Sequence, residues 1–454
     1  MSRLPSSPVV SSISWRPALL CASTAAVLSA GGTGPAQAFD IDGNADLITE
    51  TIALQELRRD WDPARIYGAR PVDEIDRTFA EPEGVRLGNF VFYPAISETA
   101  EYDSNIFGSP QDATADWRFI TAPTIVMRSQ LPRHVLDAAV SARFLNYAES
   151  TDQNYVDVRG IIRGALHIDH AHTLSATLDT AREHEERSAS TAPRTAAEPV
   201  PFARHRASVG LTRDAGRLYG TLSGTVEQLD YESVKAQDGT RLSQDSRDQI
   251  LYSGQLRTGY RFSPGYEVVS KVRVGRLLNE GEAPGAPDRN SHLYEAMAGL
   301  QFELNPLFSW RLIGGYGIRD FDRADLKTVE STLLEARVRW LPTERLSLFA
   351  HVQRALVDEI GAADNGRLET TVGARAEYEL LHNLVGSVHA EYSDQEFIGT
   401  TRQDTVTELG AGLDYLLTKN WHFDLGYAYE QRDSNEADFD FERHRVRAGA
   451  KLKF

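Results

Sequence analysis

From Phe90 to the last residue, the sequence alternates. In RVRAGAKLKF, Arg445 to Phe454, Val446, Ala448, Ala450, Leu452 and Phe454 are apolar or small, and the residues between them are mostly cationic. Strict period two marks a strand with two unlike faces. The same division recurs in Trp421, Phe423, Leu425, Tyr427 and Tyr429 against His422, Asp424, Gly426, Ala428 and Glu430. It recurs again in Thr332, Leu334, Ala336, Val338 and Trp340 against Leu333, Glu335, Arg337 and Arg339. Within each strand the charged set keeps one parity.

Eighteen such segments can be read: 90–102, 117–130, 135–148, 154–168, 173–184, 204–213, 218–232, 249–262, 266–280, 291–304, 309–322, 329–341, 346–358, 367–380, 384–396, 404–417, 421–433 and 441–454. The turns between them alternate in kind. Tight ones carry Pro, Gly, Asn and Asp, as in Asp214-Ala215-Gly216-Arg217 and Ser263-Pro264-Gly265. Long polar ones include Asp103 to Asp116, Glu185 to Ala203 and Ser233 to Asp248. An even strand count with alternating short and long connections predicts an all-β fold. The expected architecture is a closed antiparallel up-and-down transmembrane β-barrel of about 18 strands, with a short N-terminal periplasmic segment. A soluble sandwich would also alternate. Here, however, aromatics gather at strand ends: Trp310, Trp340, Trp421 and Phe454 near the tight turns, and Tyr147, Tyr231, Tyr392 and Phe441 near the long loops. Two such rows predict interfacial girdles on the outer face.

Bulk properties fit this weakly. The chain has 454 residues and a net charge of −17, and nothing after the N-terminal region offers the apolar run a transmembrane helix needs. A barrel sends only alternate residues toward lipid, so its hydropathy signal is faint. Residues 1–38 read as a signal peptide: Arg3 and Arg16, an apolar core from Ala18 to Ala30, and Ala36-Gln37-Ala38 before the expected cut. Cleavage there removes Cys21, the sole cysteine, leaving no thiolate metal site and no cysteine nucleophile. Residues 39–88 read as a periplasmic leader with a short helix over 46–60 and a proline-bearing linker; residues 89–454 read as the barrel. The leader could stay outside the barrel, dock a partner, or fold into the lumen.

A lumen this wide holds water. The residues expected to line it are Arg143, Arg257, Arg261, Lys271, Arg273, Arg337, Arg339, Arg375, Arg445 and Arg447, with Glu335, Glu377, Glu379 and Asp424. Arginine rows favour anionic or hydroxylated solutes through charge-assisted and bidentate hydrogen bonds. The alternative is that the charges pair across strands and only solvate the wall. No enzyme is expected. His167, His170, His172, His184 and His205 are scattered, and no GxSxG, HExxH or P-loop is present. No catalytic residue, cofactor, metal or nucleic-acid partner is expected.

A barrel strand left unpaired would expose backbone groups to lipid, at several kcal/mol each. The last strand should therefore pair with the first. A terminal Phe454 behind Leu452 and Ala450 resembles the C-terminal signature by which the outer-membrane insertion machinery recognises bacterial barrels. LGNFVFYPAISETAEYDSNIF (Leu87 to Phe107) followed by DWRFITAPTIVMRSQLPRHVL (Asp116 to Leu136) resembles the putative β-barrel porin 2 family. The matching residues are Gly88, Phe90, Pro94, Tyr102, Asp103, Asn105, Ile106, Asp116, Trp117, Pro123, Ser129, Arg133 and His134. The resemblance implies a Gram-negative outer-membrane porin-like channel that assists export of an exopolysaccharide or capsular polysaccharide, with periplasmic polysaccharide co-polymerase or export proteins as partners. A general or substrate-specific uptake porin, and a non-conducting adhesion or scaffold barrel, are the alternatives. Lipid, lipopolysaccharide and the insertion machinery are the other expected partners, and both termini are expected in the periplasm.

Overall fold

The computed structural model describes residue 72 and residues 82–280, 289–305, 307–358 and 365–454. The expected signal peptide and most of the leader, including the helix at 46–60, lie outside the described residues. No helix among the described residues is long and apolar enough to cross a membrane.

Eighteen long strands form one antiparallel ring. They are β1 (Phe90–Asp103), β2 (Asp116–Ser129), β3 (Val135–Tyr147), β4 (Tyr155–His167), β5 (His172–Glu185), β6 (Val200–Ala215), β7 (Leu218–Tyr231), β8 (Gln249–Ser263) and β9 (Tyr266–Asn279). There follow β10 (Ser291–Asn305), β11 (Phe308–Phe321), β12 (Val329–Thr343), β13 (Leu346–Val357), β14 (Arg367–Leu381), β15 (Leu384–Phe397), β16 (Gln403–Leu416), β17 (Trp421–Ser434) and β18 (Phe441–Lys453). Each strand pairs with the next, and β18 pairs with β1 from Ala95 opposite Lys453 to Asp103 opposite Arg445. The Phe454 N–H donates to Pro94 O at 2.9 Å, completing the seam. Below that point Val85–Leu87 takes over as β1's neighbour, turning back through Gly88 at φ +61°. No run of β1 backbone is left as a bare edge, which is what a hydrocarbon surround demands.

The strand ends fall within a residue or two of the expected ones, except that β6 begins at Val200 and not at 204. Pro199 and Pro201 flank Val200 and argue against a strand. Pairing of Glu185 with Val200 and of His184 with Pro201 nevertheless carries the ladder up to the loop.

The two faces differ as the alternation requires. Val158, Ile162, Leu178, Val209, Leu222 and Leu425 lie exposed on the outer parity. So continuous an apolar surface is stable only against lipid. The girdle expectation holds at one end and needs correcting at the other. Trp340, Trp421, Tyr392 and Phe454 do lie outward, but Tyr147, Tyr231 and Phe441 are 9 %, 5 % and 4 % exposed. These three share the parity of Arg143, Glu227 and Arg443, so they point inward. Tyr147 packs with Ile106, Ile120, Leu145 and Tyr155, and Tyr231 stacks on Phe202 at 5.2 Å. On the outer face near the long loops the aromatics include Trp117, Phe119, Phe144, Tyr252 and Tyr294, besides Tyr392.

Candidate functional site in the barrel interior

The inner wall is charged, and its charges follow hydrogen-bond rows. One row runs from Arg261 through Glu267, Gln301, Arg311, Arg337, His351, Gly373, Glu391, Glu408 and Glu430 to Arg443. It is basic over β11 and β12 and acidic over β15 to β17. A neighbouring row sets Arg257 opposite Lys271, and a further pair sets Asp414 opposite Asp424.

The expected lining residues all fall on the inward parity. Arg261 is held by Asp214 at 2.7 Å and Glu267 at 3.1 Å, and Arg273 by Glu295 at 3.4 Å and Asp358 at 3.5 Å. Arg337 lies 3.8 Å from Glu335, with Arg339 buried one step along the same face. Arg375 meets Glu377 at 2.6 Å, and Glu379 faces His382 at 3.3 Å. Arg445 approaches Glu430 at 3.8 Å, and Arg447 approaches Asp424 at 3.6 Å. Arg143 is half-buried beside Tyr155 and Asp157. Ala450, Leu452 and Phe454 lie on the opposite, outward parity.

Glycine makes this dense wall possible. Gly373 stands opposite His351, Gly410 opposite His389, Gly426 opposite Arg447 and Gly449 opposite Asp424. A Cβ at any of these glycines would collide with the partner side chain. Each missing side chain is a notch in which the partner lies flat along the wall. Through its notch, His351 reaches Glu391 at 3.5 Å, two strands away.

The long-loop end is crossed by residues 186–199, which join β5 to β6. The loop is tied down on its own side: the Arg247 guanidinium pairs with Glu185 at 2.7 Å, packs 3.9 Å over the Tyr231 ring, and is fully enclosed. It is tied down across the mouth by arginines of the β15–β16 loop, β17, β18 and β2. Arg402 donates to Ser190 O at 2.8 Å and Arg432 to Ser188 O at 2.8 Å. Glu186 lies 3.5 Å from Arg118 and 3.6 Å from Arg443. Arg194, within the loop, donates to Phe107 O and Gly108 O and packs over Phe439 at 4.9 Å. Burial and the neighbouring Arg402 and Arg187 push its ionisation down to about 10. Sequence reading missed this crossing and missed Arg311, Glu391 and Glu408, while it had put Glu430 on the charged face without naming it among the lining residues. Counting parity outward from Arg337 and Arg445 would have reached the strand residues; nothing local marks the loop's destination.

The two groups singled out for their residue types have local roles. His184 bonds Asp157 at 2.8 Å and stacks on Tyr155, His172 bonds Asp169, and His205 bonds Thr180, so the five histidines are not gathered. The patterned residues of β1 and β2 organise the rim. Asp103 accepts the Asn105 N–H at 2.9 Å, Asn105 donates to Ser109 O and Glu442 O, and Asp116 accepts the N–H groups of Glu149 and Ser150.

A family model described as Putative beta-barrel porin 2 matches residues 78–454. No curated protein matches. Among solved structures, Acinetobacter baumannii OccAB4 aligns at 12 % identity over 80 % of this chain and 98 % of its own, with a TM-score of 0.44. Pseudomonas aeruginosa OpdK with vanillate aligns at 10 % identity over 80 % and 99 %, with a TM-score of 0.42. The siderophore receptor PiuA from Acinetobacter baumannii aligns at 11 % over 82 % of each chain, with a TM-score of 0.45.

Proposed function

Starting from the putative beta-barrel porin 2 family, to which this chain belongs, we propose that this porin-like outer-membrane barrel is a diffusion channel for small, charged, hydrophilic solutes. The loop at 186–199 carries the reading. It spans the mouth and is fastened on both sides by buried arginines. Hydrogen bonds from charged donors contribute roughly 1.5–3 kcal/mol each, so the two arginine-to-carbonyl bonds hold the loop in place while solutes pass. A narrowed, charged mouth suits single small solutes that carry their own polar groups. A duct for exopolysaccharide or capsular polysaccharide, the outcome expected from the sequence resemblance, would have to thread a long polymer past this loop. In this reading the long loops face outward and the tight turns and both termini face the periplasm. Phe454, Leu452 and Ala450 serve recognition by the insertion machinery, and the outer belt contacts lipid and lipopolysaccharide.

The test has two arms. Purified protein in planar bilayers is expected to give steady conductance, with liposome-swelling rates that fall steeply with solute size. Deletion of the gene is expected to leave secreted polysaccharide unchanged. Absence of conductance returns the non-conducting scaffold, and polysaccharide trapped in the cell after deletion returns the export duct.

A further inference from the structure

We propose that the inner wall of β8 to β12 holds an anion-binding subsite, formed by Arg257, Lys271, Arg311 and Arg337, that takes a hydroxylated carboxylate such as a sugar acid. This rests on the channel reading above and names its solute class.

The register supplies the first argument. Arg257 stands directly opposite Lys271, and Arg311 directly opposite Arg337. Like charges directly opposite on one sheet face repel, so a chain that keeps two such pairs on one wall gains when a further anion sits between them. The second argument is the local charge balance. Glu335 is the carboxylate that all four cations surround, 3.8 Å from Arg337. Of the other nearby carboxylates, Glu295 is shared between Arg273, at 3.4 Å, and Lys271, and Glu267 is bonded to Arg261 at 3.1 Å and to the Tyr219 hydroxyl at 2.6 Å. Third, Arg311 is only 8 % exposed, and its Nε has no hydrogen-bond partner among the described residues. A buried guanidinium donor left unfilled is costly, and a carboxylate is the group whose geometry fills it.

The acidic wall across the lumen is balanced differently. Glu391 has His351 and Glu408 has His389, each at 3.5 Å, and Glu430 has Arg443 at 2.5 Å. That wall carries carboxylates and repels an anion, so the basic wall is where an anionic solute is drawn. Neutral hydrogen-bonding residues flank it in register: Thr221 beside Arg257, Gln301 beside Arg311 and Gln353 beside Glu335. They match the hydroxyls of a sugar acid more closely than a bare inorganic anion.

The test uses the full mature chain folded in detergent, with trigalacturonate as probe and a neutral trisaccharide as control, followed by calorimetry. The wild type should bind trigalacturonate, more weakly as salt rises, and should not bind the neutral sugar. The double variant R311Q/R337Q should lose at least about tenfold in affinity, R311K, which keeps the charge but not the bidentate donor, should lose less than the double variant, and E391Q on the opposite wall should bind as the wild type does. Heat-modifiable migration on gels confirms that each variant is folded. Equal binding of the neutral sugar, no binding by the wild type, or undiminished binding by R311Q/R337Q overturns the subsite. In bilayers under a salt gradient, the wild type should favour chloride over potassium and the double variant less so; conductance without that preference also overturns it. A wild type that binds trigalacturonate but passes no current keeps the subsite and removes the channel reading.

Discussion

At the scale of the residue, the inner wall is built from pairs of a large polar side chain and a glycine. At Gly373 the notch lets the His351 ring lie across β14 to Glu391. Gly373→Val should drive the ring off its place and cost about 1–3 kcal/mol, as overpacking does; a midpoint unchanged in urea unfolding would show that the wall tolerates the side chain. Asp248, at the rim, titrates by a different logic. Burial, with Asp230, Asp245 and Glu280 close by, lifts its carboxyl to about 6, although its Oδ1 accepts the Tyr231 N–H. A carboxyl whose folded pKa is raised contributes stability below its unfolded value, and that stability is lost as pH rises through about 6. Asp248→Asn should therefore raise the unfolding temperature at pH 7.5, with the gain over wild type shrinking as pH falls below about 6 and gone only below the unfolded carboxyl's value of 3.8; a pH-independent difference would contradict the assignment. The parity rule also governs the aromatics. Tyr147, Tyr231 and Phe441 sit at strand ends, as girdle residues do, yet they fall on the inward count and pack inside. Position along the strand suggested their depth, and parity decided their side.

At the scale of the element, strands and tight turns are local objects and were legible as such. A β-strand's faces are fixed by every second residue, and a tight turn by two or three residues with special backbone preferences, such as Gly265 at φ +74°. The rim motif around Asp103, Asn105 and Asp116 was also legible as a pattern; what the structure adds is that it ties loops together. The loop at 186–199 was not legible, because its partners Arg402, Arg432 and Arg443 are more than two hundred residues away. Replacing Arg402 and Arg432 together by glutamine should release the loop's far side. Limited proteolysis should then cut between Ser188 and Ala192, where the wild type resists, and single-channel conductance should rise. A double variant as resistant as the wild type, with unchanged conductance, would mean the loop is held without these two arginines, by Glu186 on Arg118 and Arg443 and by Arg194 on Phe107 and Gly108.

At the scale of the whole molecule, closure is the dominant constraint. The seam between β1 and β18 is sealed by register from Ala95 to Asp103 and by Phe454 on Pro94. Removing Phe454 leaves the ladder largely intact, so detergent refolding in vitro should proceed with heat-modifiable migration preserved. Assembly in cells should fall several-fold if the terminal aromatic is what the insertion machinery reads; wild-type outer-membrane levels would discard that role. Val72, from the segment before the barrel, is 1 % exposed and donates its N–H to Ser347 Oγ at 2.7 Å, so one point of that segment meets the inner wall at the tight-turn end.

By itself the sequence determined the strand count, the order of neighbours, the closure and the side of the wall to which each residue belongs. Period-two alternation and turn chemistry are set by residues adjacent in the chain, and an up-and-down ring adds no other choice of neighbour. Only the tertiary structure decided which interior charges face one another, where like charges meet like, and which loop crosses the mouth. Those outcomes depend on the register between strands and on contacts closed around the ring, and register is a property of pairs that no single segment carries.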